Sequence, residues 1–218
     1  MQKAERPFQF VTASYLVQIQ NLRASTLTEL NQGLEASNDA SIFFHTFHSL
    51  GRHHFLTEGF SNDFAHWVEA ALNRAELAEQ LASLDVRQYT TLAELRRDLH
   101  RIVGDFCRQQ PTLAKEAAFE PFHFCEAVEV ALPLGISAWN LEEFSAGLRR
   151  LSHSSLHYHF IASRLRLQLQ TNDFSLWIDK SLGRPALAAR MNGLDIYTNT
   201  LDGLSALLIK LVKEELGQ

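Results

Sequence analysis

Residues 61–67 read SNDFAHW and residues 171–177 read TNDFSLW. Asn62, Asp63, Phe64 and Trp67 meet Asn172, Asp173, Phe174 and Trp177, and the likeness extends both ways along the chain. Upstream, at a constant offset of 114, Pro7, Phe8, Phe10, Gly33, Leu34, Ser41 and His45 meet Pro121, Phe122, Phe124, Gly147, Leu148, Ser155 and His159. Downstream, Leu92, Leu95, Leu99 and Val103 align with Leu201, Leu204, Leu208 and Val212. Self-similarity that keeps its order over such a span reads as duplication. The connecting stretch RQQPTLAKEAAFE is too short, and too poor in Gly and Ser, to hold two beads on a flexible string. The expected fold is therefore mainly α with a minor β component: a tandem duplication of a ~100-residue multi-helix unit. The expected repeats are residues 7–109 and 121–218, packed as one globular unit about a pseudo-two-fold axis, with the seam as the default pocket.

Periodicity fills in the elements. Phe8, Phe10, Leu16, Val17 and Ile19 alternate at short range and favour an extended segment. In the matching stretch, Pro133 confines any strand to a sheet edge or ends it. Leu27, Leu30 and Leu34 recur at helical spacing behind Thr26, with Glu29 three residues on, a capping-box signature that Asn140 and Glu143 repeat. In SIFFHTFHSL, placed at ~100° per residue, Ile42, Phe43, Phe44 and Phe47 share one side, and His45 and His48 fall on the other. Further stripes over Phe64–Leu72, Ala75–Leu84 and Leu92–Val103 complete about five helices per copy.

Composition narrows the function classes. The 218 residues are 46% hydrophobic and 21% charged, so the chain folds. Twenty Lys and Arg against 25 Asp and Glu give a formal charge of −5, which removes the broad electrostatic footprint of a nucleic-acid binder. No apolar run approaches the ~18 residues needed to span a bilayer, and the first residues lack a secretory pattern. Two cysteines, Cys107 and Cys125, make no disulfide framework. A cytoplasmic protein that binds neither nucleic acid nor membrane is the expectation.

The densest polar cluster, residues 45–67, gathers His45, His48, His53, His54, Glu58, Asp63 and His66. Neutral imidazoles and carboxylates suit zinc, nickel or iron, so His45, His48, His53 and His54 are the candidate ligands of a divalent metal. The spacing matches no established zinc motif, and the second copy keeps only His159. The NDF motifs have a structural reading: the Asn caps a helix, the Asp complements its dipole, and Phe and Trp bury the face. Their functional reading sets Asp63 and Asp173 against His45 and His159 across the seam, as carboxylate–imidazole pairs able to bind a polar ligand or move protons. His45, Asn62, Asp63, Trp67, His159, Asn172, Asp173 and Trp177 are accordingly the candidate ligand residues. Arg96, Arg97 and Arg101 form one basic face and Arg149, Arg150, Arg164 and Arg166 another, which could grip an anion such as a sugar phosphate. Nucleotide-binding and hydrolase motifs are missing from the sequence.

Phe8 and Phe10, Leu27, Leu30 and Gly33, Ser41 and His45, then Asn62, Asp63, Phe64 and Trp67 follow an order that resembles the bacterial and archaeal family catalogued as domain of unknown function 5752. VQIQNLRAS stands where the family carries an acidic, Gly-containing segment. The resemblance implies no established activity and a neighbourhood of glycosyltransferases and sugar-metabolism enzymes. Together these readings lead to a non-enzymatic binding or regulatory protein with a small polar ligand or a protein partner at the seam, and with a homodimer as a possible assembly. The alternative is a metal-dependent hydrolase built on the first His cluster. A third reading treats the ten histidines as a pH-responsive surface, since charging them would reverse the formal charge.

Overall fold

The computed structural model describes residues 3–48, 60–196 and 198–217. From its N-terminus the chain forms β1 (Phe8–Ala24), α1 (Leu27–Ala36) and α2 (Asp39–Phe43), which runs into a π-helical turn at Phe44–His48. Then come α3 (Asp63–Leu72), α4 (Ala75–Ala82), α5 (Leu92–Gln109) and β2 (Phe122–Ala138). The rest is α6 (Leu141–Leu148), α7 (His153–Leu156) with a second π-helical turn at His157–Ala162, α8 (Ser163–Arg166), α9 (Asp173–Lys180), α10 (Pro185–Asn192) and α11 (Leu201–Glu215). No helix among the described residues is long and apolar enough to cross a membrane.

Local chemistry explains the boundaries. Thr26 accepts from the Glu29 amide at 3.2 Å while the Glu29 carboxylate accepts from the Ser25 amide, so the two side chains satisfy orphan donors at the start of α1. Asn140 and Glu143 do the same for α6. Thr91 and Glu94 close a full capping box on α5, whose Leu92, Leu95, Leu99, Ile102 and Val103 are buried at spacings of three and four. α3 stops where Asn73 turns left-handed at φ 54°.

The expected mainly α tandem of consecutive ~100-residue units is corrected by the structure. The chain is α/β and 56% helical, its sheet is an antiparallel pair of 17-residue strands, and no internal repeat is shown. Nor are the compact units the consecutive stretches 7–109 and 121–218: one comprises residues 1–15 with 129–218, the other residues 16–128. Aromatic burial supplies the reason. In the first unit Phe8 sits 5.4 Å from Phe144, 5.5 Å from Phe174 and 5.7 Å from Trp177, ring centre to ring centre. In the second unit Phe122 sits 5.2 Å from Phe64 and 5.7 Å from Trp67. Burying a Phe side chain is worth about 1.5–3 kcal/mol, and in each unit that burial joins rings far apart in the sequence.

Two helical glycines make room for this packing. A Cβ on Gly147 of α6 would overlap the Phe10 ring in the first unit, and one on Gly33 of α1 would overlap the Phe124 ring in the second. Only a residue without a side chain lets the rings lie against those backbones.

Candidate functional site

In the first unit the π-helical turn carries His159 under the N-terminal part of β1. The Val11 amide donates to His159 Nε2 at 2.8 Å, and His159 Nδ1 lies 2.9 Å from Asp173 Oδ2. Since Nε2 must accept from a backbone N–H, the ring proton sits on Nδ1 and is donated to the Asp173 carboxylate. Both ring nitrogens are therefore engaged, and the ring is only 2% exposed. Asp173 lies at the first position of α9, where the helix dipole favours a carboxylate. Its Oδ2 also accepts from Arg166 Nη2 at 3.0 Å, while Arg166 Nη1 reaches both Glu129 oxygens at 3.0 and 3.1 Å. The Arg166 guanidinium lies 4.3 Å from the centre of the Tyr158 ring. Burial pushes the Tyr158 phenol up, with the Glu129 charge adding to it against Arg166. It stays a neutral O–H donor.

The second unit holds a matching pair. The Cys125 amide donates to His45 Nε2 at 2.8 Å, and His45 Nδ1 lies 2.9 Å from Asp63 Oδ2. Each pair closes within a single unit. The helical wheel placed His45 away from the apolar side, yet it is 3% exposed and lies 4.7 Å from Phe122 and 5.3 Å from Phe64 between ring centres. The π-helical turn explains the difference, because it winds more residues per turn than the wheel assumes.

Four candidate residues are tied into the scaffold. The Asn62 side chain accepts from the Ala65 amide at 2.9 Å and donates to the Leu81 carbonyl at 3.0 Å, joining α3 to α4. Asn172 accepts from the Ser175 amide and donates to Asn192 Oδ1, joining α9 to α10. The Trp67 indole donates to the Glu120 carbonyl at 2.7 Å, and that of Trp177 to the Arg6 carbonyl at 2.8 Å. Caps and buried aromatic faces account for these positions.

His159, Asp173 and Trp177 also line an open cavity of about 510 Å³ in the first unit, a volume that suits a small ligand. Arg6, Gln9, Tyr158 and Lys180 line it too, and the sequence reading singled out none of these four. These four polar residues are scattered singly along the chain, so only the fold gathers them. Among the described residues the side chains of Arg6 and Gln9 make no hydrogen bond or ion pair, leaving both groups open at the rim. The basic runs behave differently. Arg96 pairs with Asp39, Arg101 with Asp98, and Arg164 is buried with its guanidinium on the Asn192 carbonyl.

Of the candidate metal ligands, His53 and His54 lie outside the described residues, as does the side chain of His48. Among the described residues no three His, Cys, Asp or Glu gather in a way that could hold a metal ion. Neither Cys107 nor Cys125 is in a disulfide.

The whole chain is similar to a solved structure described as the structure of OrfY from Thermoproteus tenax, with 28% sequence identity and a TM-score of 0.86. The match covers 99% of this chain and 98% of that one. No curated protein matches. Residues 5–213 fit the model of a family of unknown function, DUF5752, and with most of its length matched the chain belongs to that family.

Proposed function

We propose that this chain is a non-enzymatic binding protein whose ligand, a small polar molecule with an anionic group, occupies the open cavity of the first unit. The observation that carries this reading is the state of His159. A general base needs a free lone pair, and the Val11 amide occupies the one His159 has. The His–Asp pair thus stiffens the cavity wall and leaves recognition to the groups at its rim. Arg6 and Lys180 supply positive charge, Gln9 and the neutral Tyr158 phenol supply donors, and Phe8, Leu176 and Trp177 supply an apolar floor. A sugar phosphate combines the features such a lining selects: an anion for Arg6 and Lys180, hydroxyls for Gln9 and Asp173, and an apolar ring face.

Calorimetric titration of the full chain with a panel of sugar phosphates and inorganic phosphate tests the reading, with each ligand recovered afterwards for mass analysis. Saturable binding is expected, weakened at least about tenfold in Arg6→Ala, with the ligand recovered unchanged. Conversion of a sugar phosphate by the wild-type chain, abolished in His159→Ala, would overturn it.

A further inference from the structure

We infer that the cavity of the first unit is polarised along its length, and that Asp173 makes it selective for sugars phosphorylated at one end only. The inference rests on that cavity being the binding site and adds which ligands it turns away. Two hydrogen bonds fix the direction of its walls. The Trp177 indole, in the second half of α9, donates to the Arg6 carbonyl at 2.8 Å. Further along the strand segment, the Val11 amide meets His159, the partner of Asp173 at the start of α9. Segment and helix therefore run in opposite directions along the cavity, which places Arg6 towards the Lys180 end and Val11 at the Asp173 end. Asp173 and Lys180 are the first and last residues of the 8-residue α9. They stand about 10 Å apart along its axis at ~1.5 Å per residue.

The two ends carry opposite charge. At one, Arg6 makes no ion pair among the described residues and Lys180 lies 2.9 Å from Asp179, so these groups leave an excess of positive charge. At the other, Asp173 and Glu129 share the Arg166 guanidinium, which leaves an excess of negative charge. The bonds from His159 and Arg166 both fall on Asp173 Oδ2. Among the described residues Asp173 Oδ1 and the Tyr158 hydroxyl make no hydrogen bond, so an acceptor and a donor face the cavity together. A sugar hydroxyl satisfies both, donating to Oδ1 and accepting from the phenol. A phosphate sets like charge against a carboxylate that has no proton to offer, and it is rejected there. A hexose with one terminal phosphate can place its anion at the Arg6 end and its free hydroxyls against Asp173; a second phosphate at the other end forfeits that fit.

Calorimetric titration of the full chain with inorganic phosphate, glucose 6-phosphate and glucose 1,6-bisphosphate reads the polarity. The wild type is expected to bind the monophosphate at least about tenfold more tightly than the bisphosphate. Asp173→Asn should shrink that ratio below about threefold while leaving inorganic phosphate, which needs only the Arg6 end, within about twofold of wild type. Tyr158→Phe, which keeps the Asp173 and Arg166 charges, should weaken glucose 6-phosphate by about threefold or more and again spare inorganic phosphate. A bisphosphate held as tightly as the monophosphate by the wild type, a ratio that survives in folded Asp173→Asn, or variants that weaken inorganic phosphate as much as glucose 6-phosphate would each overturn the inference. If binding in those cases is still lost in Arg6→Ala, the binding reading stands and only the selectivity fails. Binding of none of the probes overturns both.

Discussion

His159 shows how one side chain links strand, turn and helix in the first unit. Its Nε2 holds the Val11 amide of β1 and its Nδ1 holds Asp173 at the head of α9. Replacing it by alanine removes both bonds, leaves the part-buried Val11 amide without that partner and Asp173 with Arg166 alone of the two, and opens a void. The expected loss is about 2–4 kcal/mol, measured by urea unfolding. Asp173→Asn keeps an acceptor for the ring but removes the charge facing Arg166, so a loss of about 1 kcal/mol is expected. The sequence reading set Asp63 and Asp173 against His45 and His159 across a seam; instead each His–Asp pair closes inside one unit, because the π-helical turn and the helix that carry it belong to the same unit. That the ring's remaining nitrogen takes a backbone amide was not legible either, because Val11 and Cys125 lie far along the chain and carry no mark of the role.

Tyrosines report on the fold in the same way. Burial, then the Asp98 carboxylate, raises the Tyr89 phenol to about 12, and burial followed by Glu129 drives Tyr15 higher still. A folded-state value above the unfolded one gives stability that is complete below the unfolded value near 10 and lost as pH climbs through the folded one. Phenolate absorbance of the native chain should therefore rise late, in the window from about 10 to 12 and beyond, and stability should fall across that window. Ordinary titration of Tyr15 and Tyr89 near 10 with unchanged stability would contradict the partly buried placement of these rings beside carboxylates.

At the scale of elements, the helices were the readable part. The stripes at Leu92, Leu95 and Leu99 and at Leu201, Leu204 and Leu208 lie in α5 and α11, and Thr26, Asn62 and Asn140 cap where the sequence reading placed them, while the Thr91 cap of α5 was not singled out. The extended reading of Phe8–Ile19 was correct in kind and short in extent, since β1 continues to Ala24. The π-helical turns were invisible, because their winding depends on contacts that a periodic wheel does not contain. The tightest packing between elements is expected at Gly147, where Gly147→Ala forces α6 away from Phe10. Overpacking there should cost about 1–3 kcal/mol or more, although alanine is the better helix former. A melting temperature at or above that of the wild type would show that the ring can move aside.

At the scale of the whole molecule, similarity along the sequence is a poor guide to which residues fold together. The first unit takes its aromatic strand segment from residues 1–15 and its helices from the C-terminal part of the chain. Periodicity cannot reveal this, because Phe8 and Phe122 carry the same local pattern and only long-range burial decides which helices they cover. A fragment spanning 121–218 lacks Phe8, Phe10 and Val11, and should show weak helical circular dichroism and no cooperative melt. Cooperative folding of that fragment alone would mean that the N-terminal strand segment is dispensable to the unit.

The account rests on His159 as a fixed wall support, with its proton on Nδ1 and its other nitrogen closed by β1. Two-bond proton–nitrogen correlation spectra of the imidazoles in the native chain at neutral pH test this most directly, with His159→Gln assigning the signal. A neutral ring protonated at Nδ1, unchanged when a sugar phosphate is added, is the expected result. A ring protonated at Nε2, or one that changes tautomer on ligand addition, would place a working acid–base group in the cavity and contradict the account.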